Sequence, residues 1–227
     1  MKSFKAIFII RFVGYLVFFT GLLGIIFMLG PIIGAQVGYN VDRIRGVKRT
    51  VPEIVKEVSA KADESAPVNF GSVKDSENSI IPVSTEFGIV IEKINANARI
   101  IPNVDPTNEK AYVAALKTGV AEALGSTPPG KAGNLYLFSH STDAPWNIVR
   151  FNAIFFLLRE LDAGDKVIIF YNNKRYDYIV FDKIIAAPTD VSYLTNRYNS
   201  PILTMQTCDP PGTLFNRLVV RARLVNS

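Results

Sequence analysis

Pro201-Ile-Leu-Thr-Met-Gln-Thr-Cys-Asp-Pro-Pro-Gly-Thr-Leu-Phe-Asn-Arg-Leu-Val-Val-Arg-Ala-Arg-Leu-Val225 holds two strand-like runs around a turn. Side chains alternate faces along a strand. Leu203, Met205 and Thr207 therefore share one face, and Thr204, Gln206 and Cys208 the other. In the second run Leu218, Val220, Ala222 and Leu224 oppose Arg217, Val219, Arg221 and Arg223. Burying both apolar sets leaves Cys208 and Arg217 on the outer, polar face. The stretch between them, Asp209 to Asn216, is rich in turn residues, which predicts antiparallel neighbours with Arg217 across from Cys208. Arg221 shares that face, but four residues along a strand is about 13 Å, so Arg217 is the arginine expected beside the cysteine.

Cys208 is the only cysteine of the chain, and the only histidine, His140, ends the apolar run Leu135-Tyr-Leu-Phe-Ser. A thiol, an imidazole and a guanidinium on strand ends are the parts of a thiol acyl-transfer site. Each alone has a plainer reading: a lone cysteine is often a small buried hydrophobe, and the other two could be solvated strand residues. Ser139 and Thr207, each next to a candidate catalytic residue, are candidate substrate contacts.

Further strands read outward from these. Phe87–Ile94 and Ala98–Ile101 flank a turn at Asn95-Ala-Asn97, and Asn134–Ser139 is a strand. Lys166–Tyr171 and Arg175–Ile185 form a hairpin about Asn172-Asn-Lys174. Short helices are expected over Lys110–Thr118 and Phe151–Leu161. Seven or eight short strands with few helices predict an all-β barrel or sandwich.

The N-terminal third differs. Phe12 to Gly38 carries no charge, longer than the roughly 20 residues that cross a bilayer as a helix. Residues 1–11 then precede a signal anchor at 12–38, 39–86 is a basic juxtamembrane segment and linker, and 87–227 is the domain. Val51–Val58 could form a short amphipathic helix, and the remainder to Thr85 reads as a flexible tether with a reach of about 30 Å. The net charge of +5 is misleading as a nucleic-acid signal. Residues 1–50 hold a net +6, so the rest is nearly neutral at −1. The basicity flanks the span, where Lys and Arg belong; no nucleic acid is expected as a partner. Lys2, Lys5 and Arg11 favour an inner N-terminus, whereas Arg43, Arg45, Lys48 and Arg49 favour the reverse, so charge alone leaves orientation open.

The same residues resemble a known family. Thr204-Met-Gln-Thr-Cys208 is similar to the T-L-x-T-C strand of the sortases, membrane-anchored bacterial cysteine transpeptidases, with Met for Leu. Arg217-Leu-Val-Val-Arg221 is similar to their R-L-x-V-R run. Gly133-Asn-Leu-Tyr-Leu-Phe-Ser-His140 resembles G-N-x-x-I-A-G-H, with Ser139 for the common Gly. The resemblance implies a closed eight-stranded sortase-like β-barrel with short helices behind the transmembrane helix. It implies a single-pass cell-membrane protein with its catalytic domain outside. It implies that Cys208 cleaves an L-P-x-T-G-like signal between Thr and Gly, with His140 as acid and base and Arg217 as oxyanion donor.

The implied partners are surface proteins bearing a C-terminal sorting signal and an amine acceptor on a cell-wall precursor or pilin. No cofactor or metal is expected, because the loop carboxylates of the family's calcium-binding forms find no match. Ala186–Ser200, with Pro188, Tyr193 and Tyr198, is the expected selectivity wall, and Asp143–Trp146 would close another side. Two rivals remain: a cysteine peptidase that passes the acyl group to water, and a non-catalytic anchored β-domain that binds a surface protein. An L,D-type transpeptidase fits poorly, since its Ser-His-Gly-Cys signature is contiguous while His140 and Cys208 are 68 residues apart.

Overall fold

The computed structural model describes residues 2–52, 78–141 and 154–226. The strands are β1 (Phe87–Ile91), β2 (Ala96–Val104), β3 (Val120–Ala123), β4 (Gly133–Phe138), β5 (Lys166–Tyr171), β6 (Lys174–Ala186), β7 (Pro201–Asp209) and β8 (Asn216–Asn226). They close into one barrel in the order β1-β2-β3-β4-β7-β8-β6-β5. The expected all-β barrel is thus found, and closure leaves no free sheet edge.

The core follows from alternation. Leu203 and Met205 of β7, Leu218, Val220 and Ala222 of β8, and Leu135 and Leu137 of β4 all join the interior cluster. The β5–β6 hairpin turns on Asn172 and Asn173, both with positive φ (49° and 59°), as a two-residue turn of primed type requires. Two pairings are parallel, β2 with β3 and β4 with β7. Neither could be read locally, because parallel neighbours are joined by long crossovers.

Element boundaries differ in places from those expected. Glu92–Ile94 leaves β1 as a 3-10 turn, and the chain reverses at Asn95 alone, in the left-handed region at φ 51°. The expected helix over Phe151–Leu161 is a 3-10 helix at Phe156–Glu160, with residues 151–153 outside the described residues. Between Ala187 and Pro201, a single helical turn, α3 (Ser192–Thr195), caps the outer wall.

Helix α1 runs unbroken from Lys2 to Arg45, beyond the 12–38 span expected. Its stretch Ile7–Phe27 is long and apolar enough to cross a membrane, and none of it is buried within the chain. The helix α2 (Glu109–Leu116) is capped by the Asn108 side chain, which accepts from the Ala111 N–H, and packs Ala115 and Leu116 on the barrel wall.

The free tether expected from Val51 to Thr85 is not free at its ends. Val51 is 3% exposed and Ile80 6% exposed, and both pack with Val90, Ile168 and Phe170 on the outer wall of β1 and β5. Apolar side chains at the tether's ends find a barrel face and take it. The helix expected over Val51–Val58 lies largely outside the described residues.

Candidate active site

Cys208 is the penultimate residue of β7, and β8 begins next to it. The antiparallel register places Cys208 directly across from Arg217, and Arg217 in turn across from Ala186 of β6. Their neighbours in sequence, Thr207 and Leu218, are buried on the inner side. Cys208 and Arg217 are both half-buried and face outward, as the alternation predicts.

His140 reaches the same place by another route. Strand β4 runs parallel to β7 with a constant offset, from Gly133 beside Pro201 to Phe138 beside Gln206. The pairing continues past the strand: Ser139 N–H donates to the Gln206 carbonyl at 3.2 Å. Thr207 Oγ1 then donates to the Ser139 carbonyl at 2.9 Å. The paired register ends at Phe138 and Gln206, and its offset leads the His140 segment toward the end of β7 that carries Cys208. Gly133 starts this strand with φ 140°, and a Cβ there would lie 2.2 Å from Thr127 Oγ1, so the backbone itself demands the glycine.

Ser139 and Thr207, the candidate substrate contacts, are both buried. The Thr207 hydroxyl is committed to the main chain of the histidine segment. The hydroxyls of Ser139 and Ser141 are buried with no hydrogen-bond partner among the described residues. Thr207→Val should therefore act through His140 rather than through substrate affinity. We expect a stability loss of about 1–2 kcal/mol from the unpaired carbonyl and a fall in kcat larger than any rise in KM. Thr207→Ser should restore both, measured by denaturant melts and steady-state kinetics.

Arg217 and Arg221 of β8 are used differently. Arg221 pairs with Asp182, donates to Tyr198 Oη at 3.3 Å, and stacks on Phe181 and Tyr193. It fastens the 187–200 segment to the wall. Arg217 donates only to the main-chain carbonyls of Leu214 and Asn216 and forms no ion pair among the described residues. Its charge is left for the groove.

Burial pushes the Cys208 thiol above its ordinary range, and the Arg217 guanidinium pulls it down by less. A base that takes the thiol proton turns it into the nucleophile.

A polar floor on the same face was not found from sequence. Tyr136 Oη donates to Gln206 Oε1 in a short hydrogen bond. Burial raises the Tyr136 phenol well above its usual value, while the nearby Arg217 charge opposes the shift. Upstream, Thr204 Oγ1 donates to Asn134 Oδ1 at 2.7 Å, and Asn134 Nδ2 donates to the Tyr193 carbonyl at 2.9 Å, holding α3 over the groove. The signal was available: Asn134 and Tyr136 alternate with buried leucines and share the face of His140. The Ala186–Ser200 wall does lie beside this floor, through Tyr193 and Tyr198. Asp143–Trp146 lies outside the described residues.

A sequence model described as Sortase domain matches residues 89–225. Among solved structures, Sortase A from Corynebacterium diphtheriae superposes with a TM-score of 0.52 at 27% identity, over 63% of this chain and 61% of that one. Its lid mutant gives a TM-score of 0.52 at 26% identity, over 63% and 72%. Sortase C1 from Streptococcus agalactiae gives 0.51 at 25%, over 62% and 67%. No curated protein matches the chain by sequence. A closed eight-stranded barrel, a strand-end cysteine facing an arginine, and a family match across most of the barrel lead to one assignment: the chain belongs to the sortase family of transpeptidases.

Proposed function

We propose that this protein is a membrane-anchored cysteine transpeptidase that cleaves an L-P-x-T-G-like sorting signal between Thr and Gly and transfers the acyl group to an amine. The observation that supports this reading is the register: Cys208 lies across from Arg217, and the parallel pairing of β4 with β7 directs the His140 segment toward the same strand end. In this scheme α1 holds the barrel at the outer face of the cell membrane.

His140 takes the thiol proton, and Sγ of Cys208 attacks the Thr carbonyl carbon. Arg217 donates to the oxyanion that forms. The C–N bond breaks, His140 returns the proton to the leaving Gly amine, and a thioester remains on Cys208. An incoming amine gives a proton to His140 and attacks the thioester carbon; collapse releases the sulfur and forms the new amide.

The competing outcome is hydrolysis of the same thioester. Incubating the full chain with a sorting peptide, with and without an amine acceptor, and resolving products by mass spectrometry separates the two. We expect a thioester on Cys208 that disappears faster when amine is added, with ligated product. Equal decay with and without amine, giving only free acid, would assign a peptidase instead.

A further inference from the structure

We infer that α1 is a docked stalk, which turns the Cys208 end of the barrel toward the bilayer. The inference rests on the anchored transpeptidase reading above, and its test does not require activity.

Strand directions place the site and the docking contacts at one end of the barrel. From the pairings, β1, β4, β6 and β7 end at this mouth, and β2, β3, β5 and β8 begin there. His140, Cys208 and Arg217 lie at it. So do Glu92–Asn95, after β1, and Asp162–Lys166, before β5.

The anchor meets the barrel at this end. Gln36 Nε2 donates to Glu160 Oε1 at 3.3 Å, and Tyr39 packs against the interior cluster. A cleft of about 740 Å³ between residues 34–50 and the mouth is lined by Glu92, Lys93, Leu157 and Asp165 among others. Arg159, the neighbour of Glu160, donates to Asp209 Oδ1 at 2.8 Å, one residue past the nucleophile. A single 3-10 helix thus touches the anchor and the end of the nucleophile strand.

Beyond the mouth the chain continues toward the far end of the barrel. Val51 N–H donates to the Glu92 carboxylate at 2.7 Å, and the Val51 side chain lies against Val90 and Ile168. Arg175, at the start of β6, donates to the carbonyls of Val51 and Pro52. The order of contacts from Gln36 to Pro52 therefore runs from mouth to far end. With the apolar span preceding Gln36, the mouth is the end nearer the membrane.

Thr50 bridges to Ser79, with Thr50 N–H on the Asn78 carbonyl and Ile80 N–H on the Thr50 carbonyl, so Val51 and Ile80 are held at one place on the barrel wall.

Spin labels test the orientation in the full chain reconstituted in vesicles. Phe215→Cys in the β7–β8 turn marks the mouth, and Lys174→Cys in the β5–β6 turn marks the far end, each in a Cys208→Ala background. With nickel chelated to a lipid headgroup, we expect stronger relaxation at position 215 than at 174. Gln36→Ala/Tyr39→Ala should reduce the difference. So should a Gly-Ser insertion after Phe27, which touches no barrel contact. Equal relaxation at the two positions in the parent, or stronger relaxation at 174, would overturn the docking.

Discussion

Cys208→Ala should abolish acyl transfer, with a loss of at least about 10⁴-fold in kcat. The chain has no second cysteine to take over, and the reaction proposed has no step that bypasses the thioester. The substitution removes one sulfur from a half-buried position on the outer wall, so the interior cluster is untouched. Stability should change by less than about 1 kcal/mol. Two measurements decide it: the mass of the protein after incubation with sorting peptide, where no adduct should appear, and a thermal melt that should match the parent. Residual turnover by a well-folded variant would remove Cys208 from the mechanism.

Arg217→Ala should cost roughly 10²–10³-fold in kcat, the usual effect of removing one oxyanion donor. The Arg217 guanidinium has no carboxylate to satisfy among the described residues, so its removal strands no partner charge. The same variant should move the thiol. Burial raises the Cys208 pKa and Arg217 opposes it, so without the guanidinium the titration moves further up. Alkylation of Cys208 followed against pH should therefore rise at higher pH in Arg217→Ala than in the parent. Arg217→Lys keeps a positive charge but loses the planar fork of donors. It should recover the thiol titration more fully than it recovers kcat. A fall in rate with an unmoved titration curve would separate the arginine from the thiol; an unmoved rate would exclude it from the oxyanion site.

Much of this site was legible because strand alternation is a local property. The leucine and methionine of β7 and the apolar set of β8 announce an inner face, and Cys208 and Arg217, on the opposite parity, must then point outward. The turn between the runs made them neighbours, and the register across it follows. Asn134 and Tyr136 could have been read the same way, one strand earlier. Their hydrogen bonds to Tyr193 and Gln206 could not, because those partners are 59 and 70 residues away.

What the sequence determined by itself was which faces are buried, which residues are candidates for chemistry, and an all-β class of barrel or sandwich, since these follow from side-chain period and turn chemistry. The tertiary structure decided three further matters. The parallel pairing of β4 with β7 carries the His140 segment toward the strand end that holds Cys208, through a contact no local pattern encodes. The upward shift of the thiol is set by surrounding atoms that exclude water, which outweigh the Arg217 charge beside it. The two described ends of the linker are docked because Val51 and Ile80 find an apolar wall formed by β1 and β5. Each depends on surfaces that exist only once distant segments have come together.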